Sequence, residues 1–227
     1  MLKKTLPNKM QRMQRETDPV SIGGVMKKLI VLGVGIAAVL LIGPGFAQMA
    51  AAVQKVGFPF YVYKDGGGRE NHFVPSGHTG DFGAIKMEDK CRENPQSGDS
   101  CIKFTYTGQA PQKMNWAGVF FQNPANNWGT SDGGYDLSGA KKLTFFARGN
   151  KGGENVEFKV GGVNGAYSDS DSATTGPVVL GKEWKQYQIP LEGLDLSYMF
   201  SGFAWVASSE KNPEGFVIYL DDILYTN

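Results

Sequence analysis

Cysteine, histidine and net charge are all scarce in this sequence. Two cysteines and two histidines occur among 227 residues, and 23 Lys+Arg against 22 Asp+Glu leave a formal net charge of +1. Residues 1–47 hold seven basic and two acidic residues, so the other 180 residues carry 16 basic and 20 acidic ones. A mildly acidic body argues against nonspecific binding to nucleic acid or to anionic lipid.

Sequence motifs of common enzymes are also missing. There is no HExxH motif and no nucleophile elbow, and the glycines at 66–68 lack the strand, lysine and helix that a phosphate loop needs. Glycosidases use two carboxylates at a defined separation, which only a fold can supply. Enzymatic activity is therefore not indicated, and the acids left as catalytic candidates are Glu154, Glu157, Asp169 and Asp171.

No apolar run is as long as a membrane span normally requires. The run at 29–42, LIVLGVGIAAVLLI, has 14 residues, against the roughly 20 that a transmembrane helix needs. It has the length of a signal-peptide core, Lys27 and Lys28 precede it, and Gly45 and Ala47 fit the −3 and −1 positions of a cleavage site.

This leader predicts export, either secretion or release into a periplasm. We expect residues 1–47 to be a signal peptide, in which Met26 is the true start or residues 1–25 form an extended n-region. The mature protein would then begin near Gln48, have a short segment at 48–57 and contain no stable membrane span. An uncleaved N-terminal anchor is the alternative.

The two cysteines both lie in the exported part. Nine polar or small residues, RENPQSGDS, separate Cys91 from Cys101. An isolated even pair in an oxidising compartment predicts a disulfide. Closing so short a loop would contribute about 2–3 kcal/mol in the chain-entropy model. A metal or redox pair would need more ligands or closer spacing.

Glycine and aromatic residues, in contrast, are plentiful, with 31 Gly and 12% aromatics. Short β-branched and aromatic segments alternate with turn clusters, and no helical stripe follows the leader. The pattern predicts an all-β domain at 58–227, a two-sheet antiparallel β-sandwich of the jelly-roll type. The predicted strands are 58–64, 83–88, 101–107, 116–122, 141–148, 154–160, 177–180, 184–191, 200–207 and 216–225.

Two groups of residues could hold a metal ion. His72 and His78 lie in the predicted loop 65–81. A zinc site is one interpretation of this pair, and imidazoles on the surface of a hydrogen-bonded loop are the simpler one. Asp221 and Asp222 interrupt an apolar strand, where aspartate is depleted. Because a buried carboxylate needs a partner or a cation, a calcium ion between Asp65 and one of these acids is a hypothesis. Solvated strand-end carboxylates are the alternative.

The stretch 114–135 combines aromatic rings with side-chain amides. Trp116 and Trp128 lie near Gln122 and Asn127 in the sequence. An aromatic ring can stack on the apolar face of a sugar while amides bind its hydroxyls, so this mixture predicts carbohydrate binding. The alternative is that Trp128 packs inward as an anchor of its loop.

A further candidate lies in the strand at 142–149. If Leu143, Phe145 and Ala147 face the core, Arg148 lies on the exposed face of the strand. It could contact a ligand there, or it could be a cross-strand partner of Glu157.

Four short segments, in their order, resemble the galactose-binding-like jelly rolls, a group that includes many carbohydrate-binding modules of secreted bacterial glycoside hydrolases. They are FYVYKD at 60–65, LTFFARG at 143–149, WKQY at 184–187 and YLDDI at 219–223. The resemblance spans residues 58–225. It implies glycan binding on a concave sheet face or on edge loops, with Trp116, Gln122, Trp128 and Arg148 as matching positions, and a structural calcium held by Asp65 and Asp222.

These observations predict an exported, non-catalytic protein that binds a polysaccharide or a cell-surface glycan. One alternative is a small polysaccharide-degrading enzyme, a lyase or a glycoside hydrolase, on the same jelly roll. Another is an envelope structural protein without a glycan ligand.

Overall fold

The computed structural model describes residues 53–108 and 112–227, which belong to one structural unit. The predicted signal peptide lies outside these residues. Within them there is one short 3-10 helix, Phe82–Ala84, and no helix long and apolar enough to cross a membrane. The strands are β1 Phe60–Tyr63, β2 Val74–Gly80, β3 Ile85–Cys91, β4 Cys101–Tyr106, β5 Trp116–Gln122, β6 Lys142–Gly149, β7 Asn155–Gly161, β8 Ser172–Val179, β9 Lys185–Pro190, β10 Ser201–Ser208 and β11 Phe216–Thr226.

The strands form two antiparallel sheets. The first has the order β3-β4-β11-β6-β9, and β1 pairs with the end of β11. The second has the order β2-β5-β10-β7-β8. The predicted fold class, an all-β two-sheet sandwich of the jelly-roll type, is therefore confirmed. One strand was not predicted: β2, with the sequence VPSGHTG, has too few apolar residues to stand out from the loop predicted at 65–81. Two others differ most in their bounds, since β8, predicted at 177–180, is Ser172–Val179 and β3, predicted at 83–88, is Ile85–Cys91.

The core consists of aromatic side chains that both sheets point inward. Trp205 of β10 is fully buried and lies edge-on to Phe104 of β4, with ring centroids 5.2 Å apart. Phe203 of β10 likewise contacts Phe121 of β5 and Phe145 of β6 at 5.3 and 5.1 Å. The pairs Trp205–Phe104 and Phe203–Phe145 join the two sheets, while Phe203 and Phe121 are neighbours within the second sheet. Burial of these large rings is the main stabilising contribution.

A bulge in β11 accounts for the two adjacent acids of this strand. The register against β6 shifts between Asp221 and Leu224, and Asp222 has a φ of +46°. Aspartate is one of the few residues that tolerates this left-handed conformation. The shift lets Leu220 and Ile223, three residues apart, both face the core.

The two cysteines are direct cross-strand partners on β3 and β4, and both are fully buried. In the structure they are free thiols rather than the predicted disulfide. Burial raises the pKa of Cys101 to about 12, with the nearby Cys91 adding to the effect, so this thiol is protonated at neutral pH. Their pairing across the strands is compatible with oxidation, and the disulfide stays a prediction.

Candidate functional site

The outer face of the second sheet, which points away from the first sheet, carries exposed aromatic rings. In β5, Ala117, Val119 and Phe121 are fully buried against the first sheet. Since successive residues of a strand point to opposite faces, Trp116 and Phe120 lie on the outer face, where both are half-buried. Four residues of strand separate them by about 13 Å.

A third ring joins these two from the connection between β5 and β6. Trp128 lies edge-on to Phe120, with ring centroids 5.6 Å apart, and it is 38% exposed. We call Trp116, Phe120 and Trp128 the aromatic strip. The alternative that Trp128 packs inward as a loop anchor does not describe its position, because a large part of its surface reaches solvent.

An open cavity of about 460 Å³ lies between Trp116 and Trp128. Its size is within the range of small-ligand sites. Gly80 helps to form it: with a φ of +66°, a Cβ at this position would collide with the backbone and ring of Trp116. The other lining residues are His78, Thr79, Phe82, Gln112 and Met114.

Gln122 and Asn127 lie beside the aromatic strip, but their side chains are buried. Gln122 Nε2 donates to the Asn127 carbonyl at 2.7 Å, and Gln122 Oε1 accepts from Ser76 Oγ at 3.1 Å. Asn127 Oδ1 accepts from three backbone N–H groups, those of residues 129, 130 and 131. The two amides therefore hold the loop that carries Trp128, whereas the sequence predicted that they contact the ligand.

Arg148 lies away from the aromatic strip, on the outer face of the first sheet. Its guanidinium carbon is 3.6 Å from the centroid of the Tyr219 ring, and its Nη2 donates to the Glu93 carbonyl at 2.8 Å. The predicted grouping of Arg148 with Trp116 and Trp128 is therefore not formed. A cross-strand pair with Glu157 is not formed either, because Glu157 belongs to β7 of the second sheet.

The loop at 92–100, between the two cysteines, is held by an acid that follows the first strand and by an acid of the last strand. Asp65, which follows β1, accepts through Oδ1 from the amides of Asp99 and Ser100, at 3.0 and 2.9 Å. Asp221 of β11 accepts through Oδ2 from the amides of Gln96 and Ser97, at 2.8 and 3.3 Å. Burial raises the pKa of Asp221 to about 7.

These hydrogen bonds bear on the predicted calcium ion. Amide N–H groups aimed at Oδ1 of Asp65 and Oδ2 of Asp221 are a poor environment for a cation at the same oxygens. Asp222 is half-buried and follows Asp221 in the chain. The ion shared by Asp65 and Asp222 stays a prediction, and the geometry favours loop anchoring as the role of Asp65.

Neither histidine belongs to a metal-ligand group within the described ranges. Only Glu88, Cys91 and Glu93 there bring three acidic, thiol or imidazole ligand atoms within 4.8 Å of one another. His72 instead stacks on Phe60, with centroids 4.0 Å apart, and His78 lines the cavity. Desolvation lowers the pKa of His78, so its imidazole is neutral at pH 7.

A family model described as carbohydrate binding domain 30 matches residues 70–227. This chain belongs to that family. The match includes strands β2 to β11 and all three rings of the aromatic strip, and it confirms the resemblance to carbohydrate-binding modules. A carbohydrate binding domain 30 is a carbohydrate-binding module, so the coarse function is established at that level.

Solved structures of similar fold were also found, while no curated protein matched. The family 30 module of a cellulosomal cellulase of Clostridium thermocellum is 18% identical to this chain, with a TM-score of 0.48. The aligned region covers 75% of this chain and 98% of the module. A family 11 module of the same organism, solved with a β-1,3-1,4-mixed-linked tetrasaccharide, is 15% identical, with coverages of 67% and 85% and a TM-score of 0.45. At these scores the family assignment rests on the family model alone.

Proposed function

We propose that this carbohydrate binding domain 30 is an exported, non-catalytic protein that binds a polysaccharide chain on the outer face of its second sheet. The aromatic strip is the observation that carries the proposal. Three exposed or half-buried rings on one sheet face, beside an open cavity, are a suitable platform for the apolar faces of consecutive sugars.

The spacing of the strip supports a chain rather than a single sugar as ligand. Trp116 and Phe120 are about 13 Å apart along β5, which exceeds the length of one sugar ring. Trp128 is fixed by the buried Asn127 next to it. A ring held in place before binding loses little conformational entropy when it meets the ligand.

The hydrogen bonds of two candidate acids support a non-catalytic role. Asp169 accepts from the amides of Val163, Phe200 and Ser201, and Glu154 accepts from the amide of Lys151. These carboxylates hold loops together. Incubating the chain with a polysaccharide that it binds should therefore release no reducing ends and no unsaturated products, and release of either would establish an enzyme instead.

Replacing the two tryptophans of the aromatic strip tests the binding face. Trp128→Ala and Trp116→Ala should each weaken binding about tenfold, which corresponds to about 1.4 kcal/mol, because each removes a stacking ring. Affinity gel electrophoresis of the full chain against neutral polysaccharides, including mixed-linked β-1,3-1,4-glucan, xylan and galactomannan, measures this effect.

The matched control is Trp184→Ala. Trp184 is half-buried on the other sheet, where its Nε1 donates to the Asn94 carbonyl at 2.8 Å. This variant should bind as the wild type does. Loss of binding in Trp184→Ala, with unchanged binding in the other two variants, would move the site to the first sheet. Thermal melting completes the test, since Trp128→Ala should leave the melting temperature nearly unchanged, whereas a buried tryptophan would cost about 3–5 kcal/mol.

A further inference from the structure

Two charged side chains lie on the same sheet face as the aromatic strip, on the opposite side of strand β10. Phe120 on β5 is the cross-strand partner of Ala204 on β10, and Ala204 is the partner of Lys159 on β7. In the next row Val206 of β10 is the partner of Glu157 on β7. Because cross-strand partners point to the same side, Glu157 and Lys159 face outward with Phe120. Lys159 is two strand spacings, or about 10 Å, from Phe120, and Glu157 lies in the neighbouring row, that of Gly118 on β5.

The strand between them carries small side chains on this face. Ala204 is buried and Val206 is half-buried. The ring of Phe120 and the charged pair therefore flank β10, whose small side chains project little above the sheet. A sugar chain that lies along β5 on the aromatic strip would have the hydroxyl groups of one edge directed across β10 toward the long side chains on β7.

The charged pair is oriented before any ligand arrives. Lys159 Nζ lies 3.5 Å from Glu157 Oε1, and Thr174 Oγ1 of β8 donates to the same oxygen at 2.6 Å. The side chains of Lys159 and Glu157 are still 36% and 31% exposed. They are thus positioned by neighbours yet open to hydrogen bonds from a ligand.

We propose that Glu157 and Lys159 form the part of the glycan site that hydrogen-bonds sugar hydroxyl groups. We propose further that this pair makes the site bind neutral polysaccharides in preference to polyuronates. This inference rests on the proposed function and specifies its polar contacts. A sugar hydroxyl both donates and accepts, so adjacent hydroxyls can donate to Glu157 and accept from Lys159. A uronate carboxylate only accepts, so it can pair with Lys159 but is repelled by Glu157.

Removing each charge separately tests the assignment. The probes are the neutral polysaccharide that the wild-type full chain binds in gel electrophoresis and polygalacturonate as the acidic polymer. Lys159→Met keeps most of the apolar stem, and Glu157→Gln keeps an acceptor oxygen. Each should weaken binding to the neutral polymer at least fivefold at an unchanged melting temperature, and the wild type should prefer the neutral polymer to polygalacturonate.

Lys64→Met is the matched control, because Lys64 is also paired with a glutamate, Glu70, and its side chain is also 36% exposed. It should leave binding unchanged. Binding of Lys159→Met and Glu157→Gln within twofold of wild type, or a preference for polygalacturonate, would overturn the inference while the tryptophan variants still lose binding. If Trp116→Ala and Trp128→Ala also bind normally, the proposed face itself is wrong.

Discussion

Four tryptophans occur in the chain, and the same residue type has different roles at different positions. Trp205 is fully buried between the sheets, whereas Trp128 is 38% exposed beside the cavity. Alternation within WAGVFFQ is the signal that separates these roles in β5, because Trp116 and Phe120 fall on the face opposite to Phe121. For Trp128, which follows the strand, only the folded loop shows the exposure.

Asp221 is the residue whose protonation state the fold changes most clearly. Burial raises its pKa to about 7 from an ordinary 3.8, and the neighbouring Asp222 adds to the rise. A carboxyl with a raised pKa in the folded state contributes stability that is complete below its unfolded pKa and is lost as the pH rises through the folded pKa. The affected window is therefore about pH 4 to 7.

Asp221→Asn should remove this part of the pH dependence. Asparagine resembles the protonated acid, so the melting temperature of the variant should fall less between pH 4.5 and pH 8 than that of the wild type. Thermal melting at matched ionic strength at both pH values measures the difference. Equal pH dependence in the two proteins would show that Asp221 titrates normally.

The same wild-type sample addresses the calcium prediction. If the hydrogen bonds of Asp65 and Asp221 to loop 92–100 suffice, adding EDTA at pH 8 leaves the melting temperature unchanged. A fall in melting temperature that added calcium reverses would instead support the ion shared by Asp65 and Asp222.

At the level of strands and loops, loop 92–100 is a folded unit rather than a free connection. It is fixed by Asp65, Asp221 and Arg148 and covers part of the outer face of the first sheet. Three side chains singled out in the sequence for ligand, metal or cross-strand roles thus meet at one loop. Their common role in holding this loop could be recognised only from the tertiary structure, which places β1, β6 and β11 in one sheet.

Oxidation of Cys91 and Cys101 should lock this loop at its base. In exported protein we expect a disulfide, since the two residues are already cross-strand partners. Titration of free thiols in denatured, unreduced protein should find none, and reduction should lower the melting temperature. Two free thiols in exported protein would contradict the disulfide.

At the scale of the whole molecule, the two outer faces have different properties. The second sheet presents the aromatic strip and the cavity, while the first is partly covered by loop 92–100. Ligand binding is therefore expected on one side of the sandwich. Arg148 is only 9% exposed, because loop 92–100 and the rings of Tyr219 and Trp184 cover its side chain.

Export is the other prediction for the whole chain. Protein recovered from outside the cytoplasm should begin near Gln48, because the apolar run at 29–42 and the small residues Gly45 and Ala47 form a cleavage signal. N-terminal sequencing checks this directly. Exported protein that retains residues 29–42 would instead have an uncleaved anchor.

Local patterns were sufficient to predict the all-β sandwich and the sidedness of several strands, because the period of two is a property of the strand itself. They were insufficient for β2, which is polar, and for the sheet to which each strand belongs. Strand order depends on hydrogen bonds between segments far apart in the chain, such as β5 with β10. For this reason Trp116 and Trp128 could be grouped from sequence, whereas only the tertiary structure separated Arg148 from them and placed Glu157 and Lys159 on the same sheet face as Phe120.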